Sequence, residues 1–255
     1  MKKTIITNLP QVYTVDVLDF NGQIYYGVGS EGEYPFYLIG LEESEMVKIS
    51  NGPGGTMCMV IVPGDNKRLV SVMGLFPPFK GAEAAIYLHE ERKGDWHTKK
   101  LIDLPFAHRC EILTVDNVNW LFAASVSVFK KYPEDWSLPG ELYIIPLDQQ
   151  GNLHDEPKKF INNVTRNHGM IKANLTGTEA IYISGKEGIF EIAPGFNSDW
   201  AMTVLFENEV SEFVFFDIND DEIKELITIE PFHGDTLKDL PVGFGVRSWT
   251  ERWNL

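Results

Sequence analysis

Three of the six histidines in this chain of 255 residues sit in short loop-like segments: His108 in PFAHRCEIL, His168 in RNHGMIKANL and His233 in PFHGDT. A neutral imidazole is a ligand for Zn²⁺ and similar ions, commonly with a carboxylate beside it. It also titrates near neutrality, so it can take a proton from a carbon next to a carbonyl and return one elsewhere. Either use requires several such groups on one rigid surface. What matters, then, is which elements carry these residues, and whether those elements bring them together.

The chain breaks at turn signals into short apolar, β-branched and aromatic runs such as VYTVDVLDF, RLVSVMG, WLFAASV and ELYIIPL. Runs of four to eight residues that alternate or stay apolar are strand patterns, and helical periodicity is scarce. Five segments share one plan of strand, polar turn, strand, starting at Val15, Cys58, Glu111, Gly169 and Phe213. Most are followed by a glycine-containing loop, a third strand (PFYLIGL, AAIYLHE, GELYIIPL, GIFEIAP) and a fourth run such as KKLIDLP or KKFINNV.

Four short strands repeating at intervals of roughly 44 to 60 residues predict an all-β fold, a β-propeller of five four-stranded blades. The blades are expected near residues 13–56, 57–106, 107–167, 168–211 and 212–255 of one domain. The N-terminal KKTIITNLP resembles the fourth strands, so residues 3–9 are expected to close the last blade. Such closure would remove exposed sheet edges. The third strand of the last blade is expected around 242–246.

In that architecture the innermost strands begin beside the central channel, and the loops joining second to third strands rise on the same face. Loops from several blades converge there on a rigid support. His108 and His168 precede innermost strands, and His233 falls in a second-to-third strand loop. That face also receives Arg109 and Asp235, Lys80 in the matching loop PFKGAE, and Lys186 with Glu187 in SGKEGI. Trp136, in the longer loop EDWSLPGELY, could stack on a sugar ring or pack between blades. The expected site therefore has His108, His168 and His233 as metal ligands (Zn²⁺, Mn²⁺ or Mg²⁺) or as acid and base. Lys80 or Arg109 would supply positive charge in place of a metal. Lys186, Glu187, Trp136 and Asp235 would contact substrate.

Oxygen-bearing side chains at Asp217, Asn219 and Asp221 form a second candidate, for Ca²⁺. Glu222 stands where such loops usually carry glycine, and the bland alternative is a solvated acidic turn on the opposite face. Cys58 and Cys110 fall on innermost strands of adjacent blades and read most simply as small buried residues.

The strand–DxNxD–strand units, especially DINDDEIKELITIEPFHGD, resemble FG-GAP or VCBS-type propeller repeats. Together, PFAHRCEIL, EDWSLPGELY, RNHGMIKANL and EPFHGDT are similar to bacterial relatives of the aldos-2-ulose dehydratase propeller domain. That resemblance implies a carbon–oxygen lyase acting on a keto-sugar at a metal-assisted site, with a sugar-like ligand as partner. The alternative is a non-catalytic propeller that scaffolds a protein or glycan.

Bulk properties exclude other classes. A formal charge of −15 with a pI near 4.8 argues against nucleic acid or an anionic membrane as partner. No stretch approaches the roughly 18 apolar residues of a membrane span. The N-terminus has no apolar core of signal-peptide length, and two cysteines provide no disulfide framework, so a cytoplasmic location is expected. There is no P-loop, GxSxG, HExxH or CxxC, which leaves nucleotide hydrolysis, serine-hydrolase chemistry and zincin proteolysis unsupported.

Overall fold

A computed structural model describes residues 5–40, 46–64, 67–175, 177–195, 199–241 and 253–254. These form twenty strands in five four-stranded antiparallel sheets, each built from four consecutive strands, arranged as a five-bladed β-propeller. The first blade holds β1 (Val12–Phe20), β2 (Gln23–Ser30), β3 (Tyr37–Gly40) and β4 (Met46–Lys48). The second holds β5 (Cys58–Ile61), β6 (Arg68–Met73), β7 (Ala85–Arg92) and β8 (Asp95–Asp103). The third holds β9 (Ala107–Val115), β10 (Val118–Ser125), β11 (Gly140–Leu147) and β12 (Lys158–Val164). The fourth holds β13 (Met170–Asn174), β14 (Glu179–Gly185), β15 (Gly188–Pro194) and β16 (Trp200–Phe206). The fifth holds β17 (Glu212–Phe216), β18 (Glu225–Glu230), β19 (Thr236–Pro241) and β20 (Trp253–Asn254).

Burial explains why the middle strands read as continuous apolar runs. β6 is buried along its whole length, as are the last five residues of β10. Both of their faces meet neighbouring blades. The core is accordingly divided among clusters lying between blades rather than gathered at one centre. Leu18, Phe36 and Leu38 pack with Met59, Leu69 and Met73 between the first two blades. Val72 and Ile86 meet Ile112 and Leu121 between the second and third. Phe122 and Leu142 meet Ile181 and Ile192 between the third and fourth. Tyr182 and Ile189 meet Phe213 and Phe215 between the fourth and fifth. Stacking of this kind holds each innermost strand at a set position around the axis.

Two expectations for the last blade need correction. Residues 5–9 run without strand, and β20 takes the fourth place in that sheet. Ile5 and Ile6, although β-branched, remain 68% and 51% exposed, because β20 already pairs with the edge of β19 they would have used. Residues 3 and 4 lie outside the described residues. The third strand is β19, ahead of 242–246, and that stretch also lies outside the described residues. Lys238 and Asp239 hide β19 from an apolar-pattern reading. Lys238 is accommodated because its Nζ donates to Glu230 Oε2 on β18 at 2.6 Å.

Candidate functional site at the channel mouth

The starts of the five innermost strands surround a cavity of about 380 Å³ lined by Tyr13, Met57, Arg109, His168 and Glu212, among others. A second cavity, of about 550 Å³, shares Asp16, Met59 and Glu111 with the first, so the two are contiguous. His108 is the second residue of β9, and His168 stands two residues before β13. Their rings lie with centroids 4.2 Å apart. His233, on the β18–β19 loop, completes the group, with its centroid 5.1 Å from that of His168.

Two glycines shape the loops that were matched by sequence. A Cβ on Gly234 would lie 2.2 Å from the carbonyl oxygen of Glu230, so PFHG can fold back tightly only without one. In PFKG a Cβ on Gly81 would meet Leu75 at 2.4 Å and the Phe106 backbone at 3.1 Å. The shared glycine thus serves backbone and packing proximity, as expected of a repeated structural formula. His233 itself adopts a left-handed backbone, φ 50°.

Hydrogen-bond partners fix the tautomers. His168 Nδ1 lies 3.0 Å from Glu212 Oε2, and a carboxylate only accepts, so Nδ1 carries the proton and Nε2 the lone pair. His233 Nε2 faces that lone pair at 3.3 Å and is the donor. His108 Nδ1 donates to the carbonyl of His168 at 3.3 Å, which leaves its Nε2 to accept from the Tyr13 hydroxyl at 3.0 Å. Arg109 donates to Glu212 Oε2 at 2.8 Å and to the Met57 carbonyl at 3.0 Å. Two chains of contact result: Arg109–Glu212–His168–His233, and Tyr13–His108–His168 backbone.

The electrostatics follow from burial. His108 and His168 are 2% and 6% exposed. Desolvation holds His108 well below the usual histidine range, with positive charge on His168 and Arg109 adding to it. Burial also lowers His168, against the pull of its hydrogen bond to Glu212. His233 is lowered by partial burial and by His168. Burial pushes the Glu212 carboxyl up, but His168 and Arg109 more than offset this and it ends below its ordinary value. All three imidazoles are therefore neutral at neutral pH beside an ionised carboxylate, which is the charge state of a base with its orienting partner.

The same arrangement bears on a metal. Both ring nitrogens of His108 are committed, to Tyr13 and to a backbone carbonyl, so its lone pair does not join those of the other two histidines. Among the described residues no three His, Cys, Asp or Glu side chains are grouped to hold an ion. The His168–His233 contact with Glu212 behind it is the arrangement an acid–base pair requires.

The other expected residues divide into two sets. Trp136 belongs to the mouth, packed edge-on to Phe79 and Phe232 at 5.0 Å each, and Phe232 stacks on His233 at 4.1 Å. Lys80, Lys186 and Asp235 are exposed on loops of the same face. Glu187 is turned to structure, accepting from the Thr165 amide at 2.8 Å. Arg109 lines the cavity and is paired with Glu212. In the acidic turn, Asp217 accepts from the amides of Asp221 and Glu222, Asn219 from that of Asp221, and Asp221 from that of Ile223. Those oxygens cap the turn. Cys58 and Cys110 are buried with their sulfurs 3.4 Å apart, on β5 and β9 as expected.

Tyr13 and Glu212 are the participants that sequence reasoning missed. Both stand at the start of an innermost strand, within a few residues of the positions that His108, Arg109 and His168 take at the starts of theirs. Aligning those five starts would have found them.

No family model and no curated protein matches the chain. Solved structures do. A gluconolactonase from Xanthomonas campestris aligns over 86% of this chain and 69% of its own, at 12% identity and a TM-score of 0.55. An α-L-arabinofuranosidase from Lactobacillus brevis aligns over 92% and 86%, at 10% identity and 0.55. The PQQ-bound aldose sugar dehydrogenase from Streptomyces coelicolor aligns over 95% and 80%, at 11% identity and 0.56. At such identities the likeness is one of fold: the chain is a β-propeller similar in architecture to these proteins.

Proposed function

We propose that this chain is a carbohydrate-processing enzyme working by proton transfer at the channel mouth, with elimination of water from a keto-sugar as the specific reaction. The observation that carries this is the Nε2-to-Nε2 contact of His233 and His168, backed by Glu212 on His168 Nδ1. His233 stands outermost. When it takes a proton from a carbon next to a carbonyl, it can pass its Nε2 proton to His168. Glu212 stabilises the imidazolium that forms there, and Arg109 keeps Glu212 ionised and in place. Reversal of the relay returns a proton to the departing hydroxyl. Tyr13 and His108 hold the backbone carbonyl of His168 and so fix its ring from the other side. The three structural neighbours, which act on sugars or sugar derivatives, support the substrate class, and the FG-GAP-like and dehydratase-like sequence motifs support the lyase reading.

The test is turnover of a panel of keto-sugars, followed by the absorbance of the conjugated product. His168→Ala and His233→Ala should each lower kcat at least a hundredfold. A panel with no turnover by the wild type, or variants that retain full activity, would sink the reading.

A further inference from the structure

Beside the relay, two cationic side chains approach one aromatic ring without a common anion. Lys130, on the loop between β10 and β11, places Nζ 3.0 Å from the centre of the Trp136 ring and 4.8 Å from that of Phe79. Arg166 approaches the same Trp136 ring at 5.4 Å and Phe232 at 5.3 Å. Phe232 is stacked on His233, so both cations border the catalytic mouth. Lys130 Nζ and Arg166 Nε are each buried with no hydrogen-bond partner among the described residues.

None of the nearby carboxylates bonds Lys130 Nζ or Arg166 Nε. Asp135 accepts from the amides of Lys131 and Ser137 and from the Ser137 hydroxyl, and it makes no ion pair with Lys130. Glu209 takes Arg166 Nη1 at 2.7 Å and leaves Nε unmatched. Burial brings the Lys130 ammonium down to about 8, Asp135 opposing the shift and the charge of Arg166 adding to it. The face of Trp136 offsets part of that cost, but a ring provides no acceptor for the N–H groups. An unpaired ammonium beside a second orphaned donor, on an arginine whose other nitrogen is already paired, is what an oxyanion would satisfy. Their presence in a chain of net charge −15 makes the local sign more informative.

We propose that the mouth takes a small polyol bearing an oxyanionic group, a carboxylate or a phosphate, and that Lys130 Nζ and Arg166 Nε are the donors to that group. This deepens the function proposed above, whose keto-sugar would then be acidic, with the anion gripped at the aromatic face and the reacting carbon presented to His233. Rotation about its long stem lifts the ammonium from Trp136 to meet the anion.

The experiment is titration calorimetry on the full chain in a chloride buffer free of carboxylate and phosphate. Gluconate, glucose 6-phosphate, glucose and inorganic phosphate serve as probes. One of the two acidic sugars should bind at least tenfold tighter than glucose, and the better of them identifies carboxylate or phosphate. Lys130→Gln and Arg166→Gln should each weaken that binding tenfold or more. Lys130→Arg, which keeps the charge, should retain most of it. The proposal is overturned if glucose binds as well as either acid, if no acid binds, if inorganic phosphate binds as tightly as the sugar phosphate, or if both Gln variants bind normally. Binding is read without turnover, so the two readings can fail separately. Lys130-dependent acid binding by a protein without elimination activity leaves this proposal standing alone. Elimination from a neutral keto-sugar, undiminished in Lys130→Gln, leaves only the other.

Discussion

His168 and His233 meet nitrogen to nitrogen across 3.3 Å although 65 residues separate them, and the opposite nitrogen of His168 is held by Glu212 at 3.0 Å. One ring is buried and the other stands at the mouth, so a proton can move between solvent side and interior through a single contact.

Removing the carboxylate tests its part in that contact. Glu212→Gln replaces an acceptor of imidazolium charge by a neutral amide, so the His168 pKa should fall further below the ordinary value. Ring-nitrogen NMR titration reads this directly. Activity, if it depends on the relay, should drop with a changed pH profile rather than a changed KM. An unmoved His168 titration would contradict the assigned tautomer.

Arg109 and Glu212 are largely shielded from solvent, at 16% and 33% side-chain exposure. Arg109→Met should therefore destabilise by roughly 2–4 kcal/mol, since it strands the Glu212 charge and frees the Met57 carbonyl. Double substitution with Glu212→Gln should recover part of the loss in urea denaturation. Full additivity would mean that the pair is not coupled.

Stability should fall in acid because histidines are buried neutral. His89 lies between Ser71 and Thr98, bonded to each at 2.8 Å, and desolvation brings it down to about 3. The unfolded chain titrates near 6.5, so between about pH 6.5 and 3 it binds a proton that the folded chain does not. Stability attributable to His89 is thus complete above that range and lost as pH falls through it, by about 1.4 kcal/mol per pH unit. His89→Gln should show a shallower decline in thermal melts across this window. An unchanged slope would assign the acid sensitivity to other groups.

Gly234→Ala should move the His233 loop while leaving the blades intact. The new methyl would press on the Glu230 backbone, at a cost of about 1–3 kcal/mol. Circular dichroism should be unchanged, and any His233-dependent activity should fall at least tenfold. Retained activity would show that the mouth tolerates a displaced loop.

Strand pattern and repeat period were legible in the sequence because blades pack on one another, and burial on both faces leaves the middle strands continuously apolar. The same regularity placed His108, His168 and His233 on one face. Legibility failed where local pattern and environment part company, as in β19, whose charges are accommodated by a partner on β18. It failed also at the N-terminus, where a strand-like run has no free edge to join.

By itself, then, the sequence determined the repeating unit, the count of blades and the face on which the histidines gather, since each of these depends on short-range alternation. Only the tertiary structure decided who touches whom. Tyr13 reaches His108 across 95 positions and Arg109 reaches Glu212 across 103, and neither pair shares a local motif. Such contacts depend on the angle at which successive blades stack, and that angle is set by the packing of all their side chains together.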